Sequence, residues 1–244
     1  MKADDGDGPR SIPERDPLAD LVSRSVGARI ERVDVDVLAA GEGIERKRLT
    51  FATSRGPTSA IFERRPRGQI LEAQLLPFLA RKTDRVPIVH SRGLPPPAAS
   101  LGPWLLLEYV FAAPGACEGD ASEIVAAKLA IERAVANDLP ALRALGVRDD
   151  ANDQPELRAM PRVLLHGNLV CGNARRVERG VVLTGWDRAA IGPSVLDIAG
   201  LMRDLAARGR REALAGVEAA FIAALASADL GAGDAARRYL AALK

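Results

Sequence analysis

The chain has 244 residues, 48% hydrophobic and 27% charged, enough apolar side chains for a substantial core in one large domain or two small ones. No run of about 18 uncharged apolar residues occurs, which excludes a membrane-spanning helix, and Met1 to Asp20 lacks the apolar segment of a signal peptide. The 34 basic and 32 acidic residues leave a formal charge of +2, and the arginines are spread along the chain rather than gathered in a stripe, which argues against a nucleic-acid partner.

Residues 1–18 carry too few apolar groups to pack and are expected to form a mobile tail. Arg29 to Leu38 alternates apolar and polar residues at the period of a half-buried strand. The turn holding Gly41 and Gly43 leads to a second such run, Arg48 to Thr53, and a turn at Arg55-Gly56-Pro57 leads to a third, Ser59 to Arg65. The pattern then turns helical over Gln69 to Ala80, where Ile70, Leu71, Gln74, Leu75 and Phe78 share a face and Pro77 is expected to end or kink the helix. Val86 to His90 and Trp104 to Val110 are two further strands around the Pro-rich turn at 94–98. Residues 19–110 thus read as a β-rich lobe of five antiparallel strands with one helix, followed by a hinge over 111–120.

From Ala121 the chain becomes Ala/Leu-rich. A helix to Leu145 is expected to break near Pro140, and the short apolar run Arg162 to Leu165 leads into a polar loop starting at His166. Two short strands follow (Asn173–Val177 and Val181–Thr184), then helices from Ser194 onward, including 211–226 and 234–243. Residues 121–244 read as a helical lobe with a loop-rich segment at 166–188. The two cysteines, Cys117 and Cys171, suggest neither a disulfide framework nor a metal spacing, and the chain reads as cytoplasmic.

Three segments carry a resemblance. His166-Gly167-Asn168-Leu169-Val170-Cys171-Gly172-Asn173 is followed by Leu183-Thr184-Gly185-Trp186-Asp187-Arg188, and then by Gly192-Pro193-Ser194-Val195-Leu196-Asp197-Ile198-Ala199. In order and spacing they resemble the aminoglycoside phosphotransferase and choline kinase family, whose segments run His-Gly-Asp-Leu-His-x-Gly-Asn, Ile-Asp-Trp-Glu/Asp and Gly-Asp-Pro-x-x-Asp-Leu-Ala. Pro103 to Val110, with Glu108, resembles its strand into the hinge, and Leu71-Glu72 its lobe-bridging helix. The resemblance covers about residues 28–225. It implies an α+β, protein-kinase-like two-lobed fold and, for an active member, ATP and Mg²⁺. Phosphoryl transfer then asks for a loop carboxylate to accept a proton, a second carboxylate with the loop Asn to hold Mg²⁺, and a third-strand Lys fixed by the helix Glu.

Several of these positions depart from the pattern. The base position is Asn168, which accepts no proton at neutral pH. The metal carboxylate position is Gly185, and the third-strand Lys position falls on Glu63, where an anion would repel a triphosphate. Asn173 retains the second metal position and Glu72 the helix acid, which would meet either Glu63 as a like charge or a salt bridge to Lys47 or Arg64. Asp187 could replace the lost carboxylate and Lys47 the lost cation. His166 and Asp197 match residues that brace the loop, and Trp186 matches a core residue beneath the metal site. Three readings follow: a catalytically impaired binding or regulatory module, an active phosphotransferase acting on an aminoglycoside-, choline- or sugar-like alcohol through Asp187 and Lys47, and a scaffold with an unused cleft. A small molecule or a protein is the expected partner, with no nucleic acid and no membrane.

Overall fold

A computed structural model describes residues 17–41, 44–94, 102–110, 113, 115–151, 154–158, 160–227 and 233–242. Helix α1 (Pro17–Val26) precedes strands β1 (Asp34–Gly41), β2 (Ile44–Thr53) and β3 (Gly56–Arg64), then α2 (Leu71–Leu79), β4 (Val89–Gly93) and β5 (Trp104–Glu108). The strands form one antiparallel sheet in the order β1-β2-β3-β5-β4. Strand alternation divides the side chains between two faces. Ala60 and Phe62 join Leu49, Phe51 and Leu106 under α1, whose Ala19 and Val22 are buried against them. Ile61, with Leu105 and Leu107, packs on the opposite face with Leu75, Leu76 and Leu79 of α2. Sequence periodicity did not find α1, because its Pro17 and Leu18 fall in the expected tail; residues 1–16 and Gly43 lie outside those described. Strand β1 is displaced toward the C-terminus of its expected span and carries an irregularity between Val37 and Ala39, which breaks the alternation there.

Helix α2 runs through Pro77. A proline leaves the carbonyl four residues earlier without its helical donor, and the Arg92 guanidinium donates to that carbonyl of Ala73 (3.2 Å). The helix therefore neither ends nor loses a hydrogen bond at this point. Its buried face holds Glu72, Ala73, Leu75, Leu76 and Leu79, whereas Ile70, expected on the core side, is exposed.

The second lobe contains α3 (Ser122–Ala134), α4 (Leu139–Ala144), β6 (Arg148–Asp149), α5 (Pro155–Arg158), β7 (Arg162–Leu165), β8 (Ala174–Val177), β9 (Gly180–Leu183), β10 (Ala190–Pro193), α6 (Val195–Ala207), α7 (Leu214–Ser227) and α8 (Gly233–Ala241). Pro140 lies in the first turn of α4, where its missing N–H costs no hydrogen bond, so the break falls before it at residues 135–138. The feature that positions the site is the antiparallel pairing of β7 with β10, in which Leu165 faces Ala190. Residues 166–189 are thereby a closed excursion pinned at both ends. Within it β8 and β9 form a hairpin, and Trp186 is fully buried in the core beneath. Among the described residues no helix is long and apolar enough to cross a membrane.

Candidate functional site in the interlobe cleft

The loop after β7 is fixed from below. Asp197, in the first turn of α6, accepts hydrogen bonds from the backbone N–H groups of His166 (2.6 Å) and Gly167 (2.9 Å). Its carboxylate also meets the fully buried Lys128 ammonium (3.2 Å), which pairs with Glu132 one turn along α3, and Glu132 in turn accepts from the Ser194 hydroxyl. Burial opposes the Lys128 charge, but Glu132 and Asp197 outweigh it and hold its pKa above the ordinary value. The His166 ring is fully buried, and burial pushes its pKa down. A neutral imidazole fits its contacts, with Nε2–H donating to the Thr184 carbonyl (2.9 Å) and Nδ1 accepting from Asn168 N–H (3.3 Å). Gly167 is required here: its φ is +75°, and a Cβ would meet the Arg188 carbonyl oxygen at 1.9 Å.

Asn173 and Gly185, both assigned to metal binding from the sequence, do come together. The Asn173 amide donates to the Asn168 carbonyl (2.9 Å). A Cβ on Gly185 would lie 3.1 Å from Asn173 Oδ1, at a φ of +78°. The Asn173 side chain therefore packs into the space a Gly185 side chain would need. Asp187, the expected substitute ligand, is exposed and does not line the cavity. Among the described residues no three His, Cys, Asp or Glu side chains are grouped to hold an ion. Mg²⁺, the ion the resemblance implies, is usually held by one or two carboxylates together with phosphates and waters; Gly185 offers no carboxylate at the expected position, and Asp187 is exposed.

The opposite wall departs most from expectation. Glu63 is buried on the cleft side of β3 and is gripped from both flanks. Arg46 of β2, its cross-strand partner, donates through Nε (2.6 Å) and Arg65 through Nε (2.5 Å). Arg65 Nη2 continues to Glu72 of α2 (2.7 Å), whose other oxygen accepts from the Trp186 backbone N–H (2.9 Å). An alternating chain Arg46–Glu63–Arg65–Glu72 thus replaces the expected Lys–Glu pair. Glu63 is not the free anion expected, since two guanidiniums neutralise it. Lys47 does not supply the missing cation: it lies opposite Phe62 on the other face of the sheet, paired with Glu45 (2.5 Å). Arg64 also binds Glu45, on that face, rather than Glu72. Neither Arg46 nor Arg65 is among the cations expected from the sequence; strand parity, counted from Glu63 to its cross-strand partner, points to Arg46.

Burial, and after it the neighbouring Glu63 carboxylate, push the Glu72 pKa up to about 7 against the pull of Arg65. Between about pH 4.5 and 7 the folded chain then holds a proton that the unfolded chain has released, so this group lowers stability as pH rises through that window and contributes nothing further above it. Denaturant titrations from pH 4 to 8 should show the effect as the difference between the wild type and Glu72→Gln, at most about 3 kcal/mol across the window. His166, held neutral by burial, loses stability in the opposite sense below its unfolded pKa, so the difference and not either curve alone carries the test.

Two ties border the cleft. Arg179, in the β8–β9 turn, forms a bidentate pair with Glu108 at the end of β5, and its Nε donates to the Asp84 carbonyl (3.0 Å). Burial opposes the Glu108 charge, but Arg179 and the Ile88 N–H hold its pKa below the usual carboxylate range. The second tie corrects the reading of the cysteines: Cys117, in the hinge, and Cys171, in the loop, form a disulfide across 54 residues. Between these ties lies a cavity of about 320 Å³. Leu76, Pro87, Leu107 and Val110 give it an apolar wall, while Arg46, Glu63, Glu72 and Glu108 face Asn173, Arg175, Thr184 and Gly185. Gly41, at the far end of β1, and Asn168 do not line it.

The two lobes, the pinned loop and the cleft between them define a kinase-like phosphotransferase fold. The particular likeness that carries this is to spectinomycin phosphotransferase APH(9)-Ia, solved with ADP and spectinomycin, at a TM-score of 0.53 and 9% identity over 84% of this chain and 82% of that one. The chain is also similar to a thermostable mutant of aminoglycoside phosphotransferase APH(4)-Ia (TM-score 0.49, 15% identity, 92% and 97% covered). A third similarity is to amicoumacin kinase hAmiN, solved with AMP-PNP and Ca²⁺ (0.49, 14%), where the chain covers 72% of itself and 65% of that protein's length. At these identities the likeness is one of fold. No family model matches the chain, and no curated protein matches its sequence.

Proposed function

We propose that this protein is a catalytically impaired member of the kinase-like phosphotransferases that serves as a binding or regulatory module. The observation that carries the reading is the Arg46–Glu63–Arg65–Glu72 chain, in which the charged groups on the cleft wall satisfy one another. An arriving polyphosphate would have to break buried ion pairs to recruit either guanidinium, which costs about 3–5 kcal/mol when one partner of such a pair is withdrawn. Asn168 offers no base, and Gly185 no carboxylate. The chain's own groups thus hold the cleft in shape, and its apolar wall and modest volume suit a small molecule that brings no metal. Cytoplasmic residence belongs to the same reading.

The alternative is an ATP- and Mg²⁺-dependent phosphotransferase acting on an aminoglycoside-, choline- or sugar-like alcohol, as the structural neighbours' names suggest. Asp187 is its remaining support, since its charge is felt by Glu72 and Arg65. Thermal unfolding with ATP, with and without Mg²⁺, separates the two. A ligand at one hundred times its Kd adds about 2.7 kcal/mol, or about 5–10 °C for a chain of this size. We expect no Mg²⁺-dependent rise in Tm at millimolar ATP; a rise of several degrees would count against the proposal.

A further inference from the structure

We propose that Cys117–Cys171 is a reversible thiol–disulfide lock on the floor of the interlobe cleft, opened by a dithiol reductant. The inference is independent of whether the cleft transfers phosphate. It starts from placement. The chain has only two cysteines, and both are in this bond. Cys171 opens the single turn Cys171–Asn173, and the next two residues, Gly172 and Asn173, line the cavity. Cys117 sits in the short turn Ala116–Glu118, directly after Gly115, which makes an isolated β-bridge to Arg175, another cavity residue.

The bond closes a 54-residue loop in a chain that already has a large core. Disulfides stabilise chains too small to build a core, whereas here one apolar core runs from α2 through α3 and α6 to α8. The bond joins two three-residue turns rather than two helices, and both cysteines are buried in that core, so a reductant reaches the sulfurs through local opening of these turns. Hydrogen bonds would outlast its opening, among them those of Asn173 with Asn168, Val170 and Thr184. Cys171 N–H donates to Asp204 Oδ2 (2.7 Å), Arg210 donates to the Cys117 carbonyl, and the Gly115–Arg175 bridge remains. They are enough to keep both segments on course, but they leave Gly172 and Asn173 free of the covalent restraint.

The chemistry balances without any group the protein lacks except the reductant. A thiolate of the dithiol attacks one sulfur of the bridge, releasing the other cysteine as a thiolate that takes a proton from water. The second thiol of the reductant then resolves the mixed disulfide, so two electrons and two protons pass from the dithiol to Cys117 and Cys171.

Hydrogen exchange read by mass spectrometry tests this on the full-length protein, equilibrated with oxidised or reduced dithiothreitol. Amides of 168–175 and 115–118 should exchange about tenfold or more faster in the reduced form, those of α3 and α6 should be unchanged, and glutathione disulfide should restore the slow pattern. The double variant Cys117→Ser, Cys171→Ser should show the fast pattern under both conditions. Equal exchange in the two redox forms would overturn the proposal, as would a bridge that dithiothreitol leaves intact in the folded protein. So would loss of protection throughout α3 and α6, on reduction or in the double variant, because the bond would then hold the fold and not the cleft.

Discussion

Asp197→Ala should destabilise the protein by about 3–5 kcal/mol, the cost of removing one partner from a buried charge network. The Asp197 side chain is almost fully buried and receives three donors from three places: the backbone of His166, the backbone of Gly167 and the Lys128 ammonium. Truncation leaves the two amides without their acceptor and Lys128 with Glu132 as its remaining carboxylate partner. For a chain of this length the loss corresponds to a Tm drop of about 6–20 °C. Asp197→Asn should lose less, since an amide oxygen still accepts from the loop. Equal Tm values for the wild type and Asp197→Ala, read by calorimetry, would show that the network is dispensable. Because the loop also presents Asn173 to the cleft, the alanine variant should lose order there before it unfolds globally.

The second large effect concerns the residue at which a working kinase would carry a lysine. Glu63→Lys restores that charge, yet here it should destabilise by about 3–5 kcal/mol. The new ammonium would lie between Arg46 and Arg65, leaving three cations around Glu72 in a space where like charges about 4 Å apart repel by up to about 4 kcal/mol. Glu63→Gln should cost less, because its amide oxygen can still accept from one guanidinium. Denaturant titration of the two variants ranks them. Should Glu63→Lys be as stable as the wild type, or gain Mg²⁺-dependent ATP binding, the Arg–Glu chain would not be what shapes this wall.

The fold was legible where the chain obeys local periodicity. Strands β2, β3 and β5, helix α2 and the loop from His166 to Asn173 could all be placed from alternation, helical spacing and the spacing of the loop motifs. Helix α1 was not, although Leu18, Leu21, Val22 and Val26 recur at helical spacing, because its first residues fall in the expected tail. Strands β6 and β10 escaped for a different reason: two- and four-residue strands exist through pairing and have no period of their own. In the site, the neutral positions Asn168 and Gly185 could be read from the motif alone. The cations could not be read in that way. Which arginine answers Glu63 depends on which residue of β2 stands opposite it, which the register of the β2–β3 hairpin sets and no spacing within β3 encodes. The disulfide was missed because a pair 54 residues apart reveals itself only once the hinge and the loop are brought together.

The Arg179 contact has mechanical meaning. Enzymes of the two-lobed kind generally rock open and shut around each substrate they handle. In this chain one guanidinium, carried on a turn of the lower half, holds Glu108 and the Asp84 carbonyl of the upper half together. Spreading the halves means pulling that headgroup away from all of them in a single step. The Arg179 headgroup is thus one contact that any separation of the two halves has to undo.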